Sequence, residues 1–223
     1  MNRRLRAVLV RASKLLSRTG LYEFLTQQFD LIPAGSRVLS VGSGGPVNAL
    51  LGKQTRGRSV TIVQLDLDPA RSPDILGDIC THSLTPEEFD VVVISEVLEH
   101  LHSPHLALDN IRAALRPGGR LILSTPFALP IHEAPHDYYR YTRYGLAFLL
   151  REFSEVVITA RNSYFEAIDV LWLRLIQSES RRAHWLMLFV VPWIVIKWPL
   201  TRFLSRFVSS DQLTTGYVVT ARK

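Results

Sequence analysis

Apolar residues come in two rhythms along this chain. Short unbroken runs have the length and β-branched content of buried strands: RVLSV at 37–41, SVTIVQLDLD at 59–68, FDVVVIS at 89–95 and GRLILSTPF at 119–127. Between them lie stretches whose apolar positions recur every three or four residues. The clearest is SPHLALDNIRAALR at 103–116, with Ser103 placed to cap a helix and Pro104 behind it. Strands alternating with helices predict an α/β fold with a mostly parallel sheet and crossover helices. Thr142 is placed to cap a further helix, RYGLAFLLREF, ahead of a strand SEVVITA at 154–160, and TGYVVTARK closes the chain as a last strand.

The alternation breaks between 164 and 209. YFEAIDVLWLRLI and WLMLFVVPWIVIKWPL are helical in rhythm and apolar almost all round. From Ala183 to Ile196 no charge appears, yet that stretch falls short of a membrane crossing, and Pro192 is expected to kink it. This insert predicts a helical hairpin at a membrane interface, with Arg181, Arg182, Lys197, Arg202 and Arg206 at headgroup level. A buried helix pair or a homodimer interface fits the same pattern.

Charge sharpens the picture. The net charge of +6 resides in residues 1–20, where Arg3, Arg4, Arg6, Arg11, Lys14 and Arg18 occur without an acid. Leu5, Val8, Leu9, Ala12, Leu15 and Leu16 recur there at helical spacing, giving a basic amphipathic helix suited to an anionic membrane or to packing on the domain. A mitochondrial transit peptide shares that composition, whereas no secretory signal is expected, because the apolar stretch Ala7 to Val10 is short and Arg11 interrupts it. The remaining residues, 21–223, are charge-balanced and read as one domain. Aromatics do not interleave with the basic arm, so no nucleic-acid partner is expected. Cys80 is the sole cysteine, which rules out an internal disulfide and suits a cytoplasmic, peripherally membrane-associated protein.

IHEAPHDYYRYT, residues 131–142, holds His132, Glu133 and His136 at the spacing of a zinc-protease signature. That signature needs a helix to bring both imidazoles to one metal. Pro130 and Pro135 oppose one, and His100, His102 and His105 are remote in sequence, so no metal is expected.

The first strand runs into Gly42, Ser43, Gly44 and Gly45, where backbone N–H groups can approach a ligand. Asp66, 24 residues beyond Gly42, ends the second strand where an acid can accept from ribose hydroxyls. Nicotinamide and adenosyl cofactors both suit this pattern, although Val47 stands where a dinucleotide site needs a third glycine or alanine.

VLSVGSGGP, FDVVVISEVLEHL and LRPGGRLILSTPF, in this order, resemble the class I S-adenosylmethionine-dependent methyltransferases, particularly small-molecule enzymes with an L-E-H-L stretch after the fourth strand. The resemblance spans about residues 35–160. It implies a Rossmann-like seven-stranded sheet with an antiparallel last strand and S-adenosylmethionine as cofactor. Val41, Gly42, Ser43 and Gly44 would line the cofactor's methionine side, Asp66 its ribose and Leu67 its adenine. Asp78 and Ile79 would lie at the adenine edge, and Glu96 near the sulfonium. Ser40 stands where the family usually has an acid, and Pro46 where it has a third glycine. HDYYRYT resembles a loop of methyltransferases in glycan pathways. The loop 131–142 leaves the carboxyl end of the strand GRLILSTPF, over the transferable methyl, which makes His132 and His136 the candidate bases or acceptor-orienting groups, with Glu133 or Asp137 setting a tautomer; the resemblance makes His100, Tyr139 and Arg140 candidates for acceptor binding. The implied reaction is methyl transfer, expected at oxygen, to a small glycan-linked or lipid-linked acceptor at a membrane face. A nicotinamide-dependent oxidoreductase and a non-catalytic membrane module are the competing readings.

Overall fold

The computed structural model describes Val8, Val10, 16–42, 44–178, 180–208, Ser210 and 212–223. Ser43 and most of the basic arm lie outside the described residues. The elements run α1 (Thr19–Asp30), β1 (Arg37–Val41), α2 (Gly45–Gln54), β2 (Thr61–Asp66), β3 (Ile75–Leu76), β4 (Phe89–Ser95), α3 (Pro104–Ala114) and β5 (Leu115–Pro126). They continue through α4 (Arg143–Leu149), β6 (Ser154–Ala160), α5 (Tyr164–Arg174), α6 (Arg181–Leu204) and β7 (Gly216–Arg222).

The seven strands form one sheet in the order β3-β2-β1-β4-β5-β7-β6. β1 pairs in parallel with β2 and β4, β2 with β3, and β4 with β5. β7 runs the other way. Its ends bond in reverse order, Thr215 accepting from Phe127 and Lys223 donating to Gly119. The central strands are buried on both faces, with Val38, Leu39, Val92, Ile94, Leu121 and Leu123 fully enclosed, as covering helices on each side of a parallel sheet require.

Two local expectations change. β5 starts at Leu115, four residues ahead of the run GRLILSTPF at 119–127, and takes in Pro117 and Gly118, where the register to β4 shifts between Phe89 and Val91. Ser103 occupies the cap position of α3 without a side-chain cap bond, whereas the Thr142 side chain does accept from the Gly145 N–H.

The chain divides into two compact units. One comprises Glu23–Pro126, His132–Thr159 and Tyr217–Lys223, and holds most of the sheet. The other comprises Met1–Tyr22, Phe127–Ile131 and Ala160–Gly216. In the latter, α5 and α6 enclose Leu173, Ile176, Met187, Val191 and Ile194, with Val10 and Leu16 of the N-terminal arm packed against them. α6 runs 24 residues, uninterrupted through Pro192 and Pro199, so its apolar stretch 182–204 is long enough to cross a membrane by length and composition. Lys197 is not a headgroup cation: its Nζ meets the buried Asp169 carboxylate at 2.5 Å, and Thr201 donates to the same carboxylate at 2.9 Å.

Candidate functional site

The carboxyl ends of β1, β2, β4 and β5 share one edge of the sheet, where ligands of open α/β sheets bind. Gly42 leaves β1 at φ 82°, and its N–H donates to the Leu65 carbonyl at 2.9 Å, tying the glycine turn to the end of β2. A Cβ on Gly42 would lie 2.5 Å from Val97 Cγ2, so both conformation and space demand glycine. Gly44, at φ 84°, caps the start of α2. Ser43 lies between them, outside the described residues. Ser40 is buried and donates to Asn48 Oδ1 at 2.5 Å, and Asn48 Nδ2 donates to Gln64 Oε1 at 2.9 Å, so a neutral relay tethers α2 to β1 and β2 at this position.

Asp66 ends β2 almost buried, its Oδ1 accepting from the Asp68 N–H at 2.9 Å. Arg71 reaches Oδ2 at only 3.4 Å from a half-exposed side chain, a contact that a ligand hydroxyl can replace. Leu67 beside it is exposed and offers an apolar surface. Asp78 accepts from the Cys80 N–H at 2.8 Å, and its carbonyl closes a turn with Thr81 and His82 that sets the buried Ile79 in place. Burial pushes the Cys80 thiol up, which keeps it a poor nucleophile. Glu96 follows β4 at φ 55°, held by its N–H to the Ser124 carbonyl and by Ser124 Oγ donating to its carboxylate at 3.0 Å. A glutamate in that conformation costs about 1–3 kcal/mol and marks a constrained spot. A glycine turn at positive φ, a carboxylate ending the strand paired with it, and an apolar flank together fit an adenosyl cofactor.

The segment after β5 folds back over the turn Leu98–His100. It is not helical, and His136 N–H closes a tight turn onto the Glu133 carbonyl. Tyr138 and Tyr139 N–H groups both donate to the Glu99 carbonyl, and the buried Tyr141 hydroxyl donates to Leu98 O at 3.2 Å. Burial pushes the Tyr141 phenol up, so it remains protonated. Tyr139 stacks on Tyr141 and donates to the His102 carbonyl, while Arg140 forms a two-pronged pair with Asp137 at 2.5 and 2.6 Å. Arg140 holds the Asp137 carboxyl down at about 2. Both Tyr139 and Arg140 thus brace the loop.

The two candidate histidines part company here. His136 is exposed, with Nδ1 2.8 Å from the Tyr138 hydroxyl. His132 turns inward: Nδ1 lies 3.4 Å from Asp137 and Nε2 3.7 Å from Glu99 Oε1, and its ring meets that of His100 edge-on at 4.9 Å. The Glu99 carboxylate raises the His132 pKa; burial pushes Glu99 up in turn, with the nearby Glu96 charge acting in the same sense. Glu99, fully buried, escaped the sequence reading. Its signal was an acid between Leu98 and Leu101, both of which are buried.

A family described as a methyltransferase domain matches residues 13–188. A ubiquinone biosynthesis O-methyltransferase of Aeromonas salmonicida is 31% identical over 110 residues, 41% of this chain and 43% of that protein. The mitochondrial enzyme of that name in Schizosaccharomyces pombe is 35% identical over 108 residues, 41% of this chain and 38% of its own length. The chain therefore spans less than half the length of these curated relatives. Among solved structures, an S-adenosylmethionine-dependent methyltransferase of Archaeoglobus fulgidus superimposes with TM-score 0.59 at 16% identity, covering 93% of this chain and 95% of that one. A phosphoethanolamine N-methyltransferase of Haemonchus contortus bound to S-adenosylmethionine gives 0.60 at 14% identity, covering 91% and 52%. At such identities these two establish the shared fold.

Proposed function

Because the chain belongs to this family of methyltransferase domains, we propose that it transfers a methyl group from S-adenosylmethionine to an oxygen of a small lipid-linked or glycan-linked acceptor at a membrane surface. The observation that carries this reading is the adjacency, on one sheet edge, of the glycine turn and Asp66 with the inward-facing Glu99–His132 pair. The cofactor supplies an electrophilic methyl on a sulfonium and departs as the thioether. The protein's task is to hold the acceptor in line, exclude water and remove the hydroxyl proton. Gly42 and Gly44 would cradle the methionine part, Asp66 would accept from the ribose, and Leu67 with Ile79 would flank adenine.

Asp137 beside Nδ1 of His132 favours the tautomer with its proton there, which leaves the Nε2 lone pair facing Glu99. Glu99 and His132 are then the groups that hold and deprotonate the acceptor hydroxyl. Tyr138, 47% exposed, lies on the same loop and is open to an acceptor. Oxygen is favoured as the acceptor atom by the O-methyltransferase names of the curated relatives.

The membrane part rests on α6. Trp185, Phe189, Trp193, Ile196, Leu200 and Phe203 are all exposed, Phe189 by 75% and Ile196 by 74%. Single exposed apolar residues are ordinary, but a contiguous face of large ones marks an interaction surface. Exposed Arg182 and Arg206 bracket it, which suits anionic headgroups.

Incubating the protein with methyl-labelled cofactor and fractionated lipid and glycan extracts should place label on a base-stable ether in a lipid-linked fraction. Label in none of the fractions, with the cofactor still bound, would reject the acceptor class. Vesicle co-sedimentation tests the surface: the Phe189→Glu, Trp193→Glu double variant should bind anionic vesicles at least about tenfold more weakly, since burying each such side chain contributes about 1.5–3 kcal/mol. A wild type that stays in solution, or that instead dimerises reversibly with rising concentration, would contradict it.

A further inference from the structure

Glu99, His100 and His132 are drawn together from two segments, the turn after β4 and the loop after β5. One ligand atom from each lies within 4.8 Å of the others. Glu99 is 0% exposed, and its Oε1 accepts no hydrogen bond, although Oε2 accepts from Thr125 Oγ1 at 3.3 Å. A buried carboxylate oxygen without a donor is costly and calls for a partner. The His100 and His132 Nε2 atoms face it at 3.6 and 3.7 Å, beyond hydrogen-bond reach.

Those separations are close to what a shared cation needs. Two ligand atoms each about 2.0–2.2 Å from a metal, at tetrahedral or octahedral angles, lie about 3–3.5 Å apart, so the two Glu99–imidazole separations need a shift of a few tenths of an ångström, and the two imidazoles, within 4.8 Å of each other, need to close by about an ångström. Both imidazoles are also oriented for it by their other nitrogen. His100 Nδ1 meets the His136 carbonyl at 2.7 Å, and since a carbonyl only accepts, that nitrogen carries the proton and Nε2 is left with its lone pair. His132 Nδ1 faces Asp137, which the Arg140 pair holds in place. A ligand histidine whose second nitrogen is anchored to a carbonyl or a carboxylate is the usual outer arrangement of a metal site.

We propose that Glu99, His100 and His132 bind a divalent first-row transition cation such as Zn2+, Mn2+ or Co2+, which fastens the loop after β5 to the sheet edge. Two imidazoles favour such an ion over Mg2+, which prefers an all-oxygen shell. Three protein ligands leave coordination positions for acceptor oxygens; with the His132 Nε2 lone pair given to the ion, that residue would act on the hydroxyl through the cation, which makes its proton easier to lose, rather than as the direct base. That catalytic use rests on the methyl-transfer reading; the binding itself does not. The zinc-protease spacing of His132 and His136 is a coincidence, because His136 contributes its backbone carbonyl to orient His100.

The other cluster of this kind among the described residues, Asp78, Cys80 and His102, has no orphaned atom, since Asp78 Oδ1 already serves the Cys80 N–H. It provides the control. Chelator-treated protein is titrated with Zn2+, Mn2+ and Mg2+ by calorimetry, and with Co2+ by its visible absorption. The expected result is one equivalent of transition cation. Its dissociation constant should rise at least about a hundredfold in His132→Ala and in His100→Ala, and stay within about twofold in His102→Ala. His132 is one-third exposed, so its alanine variant should fold; far-ultraviolet circular dichroism and demethylated-cofactor binding check this in the same samples. No saturable binding, a preference for Mg2+, or equal binding by His132→Ala and wild type would overturn the proposal. Failure of the cofactor arm alone, with cation binding intact, would count against methyl transfer and leave the metal site standing.

Discussion

Two loops leave the same edge of the sheet and use opposite means. The turn after β1 works by subtraction: Gly42 and Gly44 remove side chains so that backbone can approach a ligand, and Gly42 has no room for a Cβ beside Val97. The loop after β5 works by addition, stacking Tyr139 on Tyr141, latching Arg140 to Asp137 and turning His132 toward Glu99. A backbone cradle recognises what all members of a cofactor class share. A side-chain loop recognises one acceptor, and its geometry depends on every brace.

Variants should separate the two. The largest effect is expected from His132→Ala, which should lower turnover by about 10²–10⁴-fold with cofactor affinity unchanged, as loss of a proton-handling group does. Single-turnover rates alongside cofactor calorimetry check it, and a parallel loss of cofactor affinity would merge the two loops into one site. Gly42→Val should do the converse. Displacing backbone where glycine is obligatory costs several kcal/mol, so cofactor affinity should fall about a hundredfold or more, with the acceptor loop intact.

Asp137→Asn tests the latch. Arg140 holds the Asp137 carboxyl at about 2 when folded, against 3.8 for the free group, so it contributes about 2 kcal/mol that is present above pH 4 and is lost as pH falls toward 2. Urea unfolding of chelator-treated wild type and variant should therefore differ by about that amount at pH 6, and the gap should narrow at pH 3. A gap that widens with acid would reverse the assigned sign. Tyr138→Phe removes only the exposed hydroxyl beside His136 and should change turnover by less than about threefold.

The same contrast explains what the sequence disclosed. β1, β4 and the second half of β5 announce themselves because a strand buried on both faces is an unbroken apolar run, β2 does so through its β-branched residues although it is only partly buried, and the glycine turn is legible because its chemistry is local. β3 is two residues long, too short for any rhythm to register. α6 reads as a fourteen-residue stretch that falls short of a crossing, yet runs on through Lys197, because Asp169 on α5 neutralises that charge across the helix pair. The His100–His132 contact was hidden for a similar reason: the two residues are 32 positions apart, and neither shares a period with the other. Reasoning from spacing alone declared no third ligand within reach. Chain reversal over Glu99 instead brings His100 beside His132.

The central claim is that the crevice between the ends of β1 and β2 holds an adenosyl sulfonium. Calorimetric titration of the full chain with S-adenosylmethionine, its demethylated product and a reduced nicotinamide dinucleotide tests this most directly. The account predicts one saturable site for the first two, weakened at least about tenfold by Asp66→Ala, and no heat from the third. Binding of the dinucleotide alone, or of none of the three by folded protein, would contradict it.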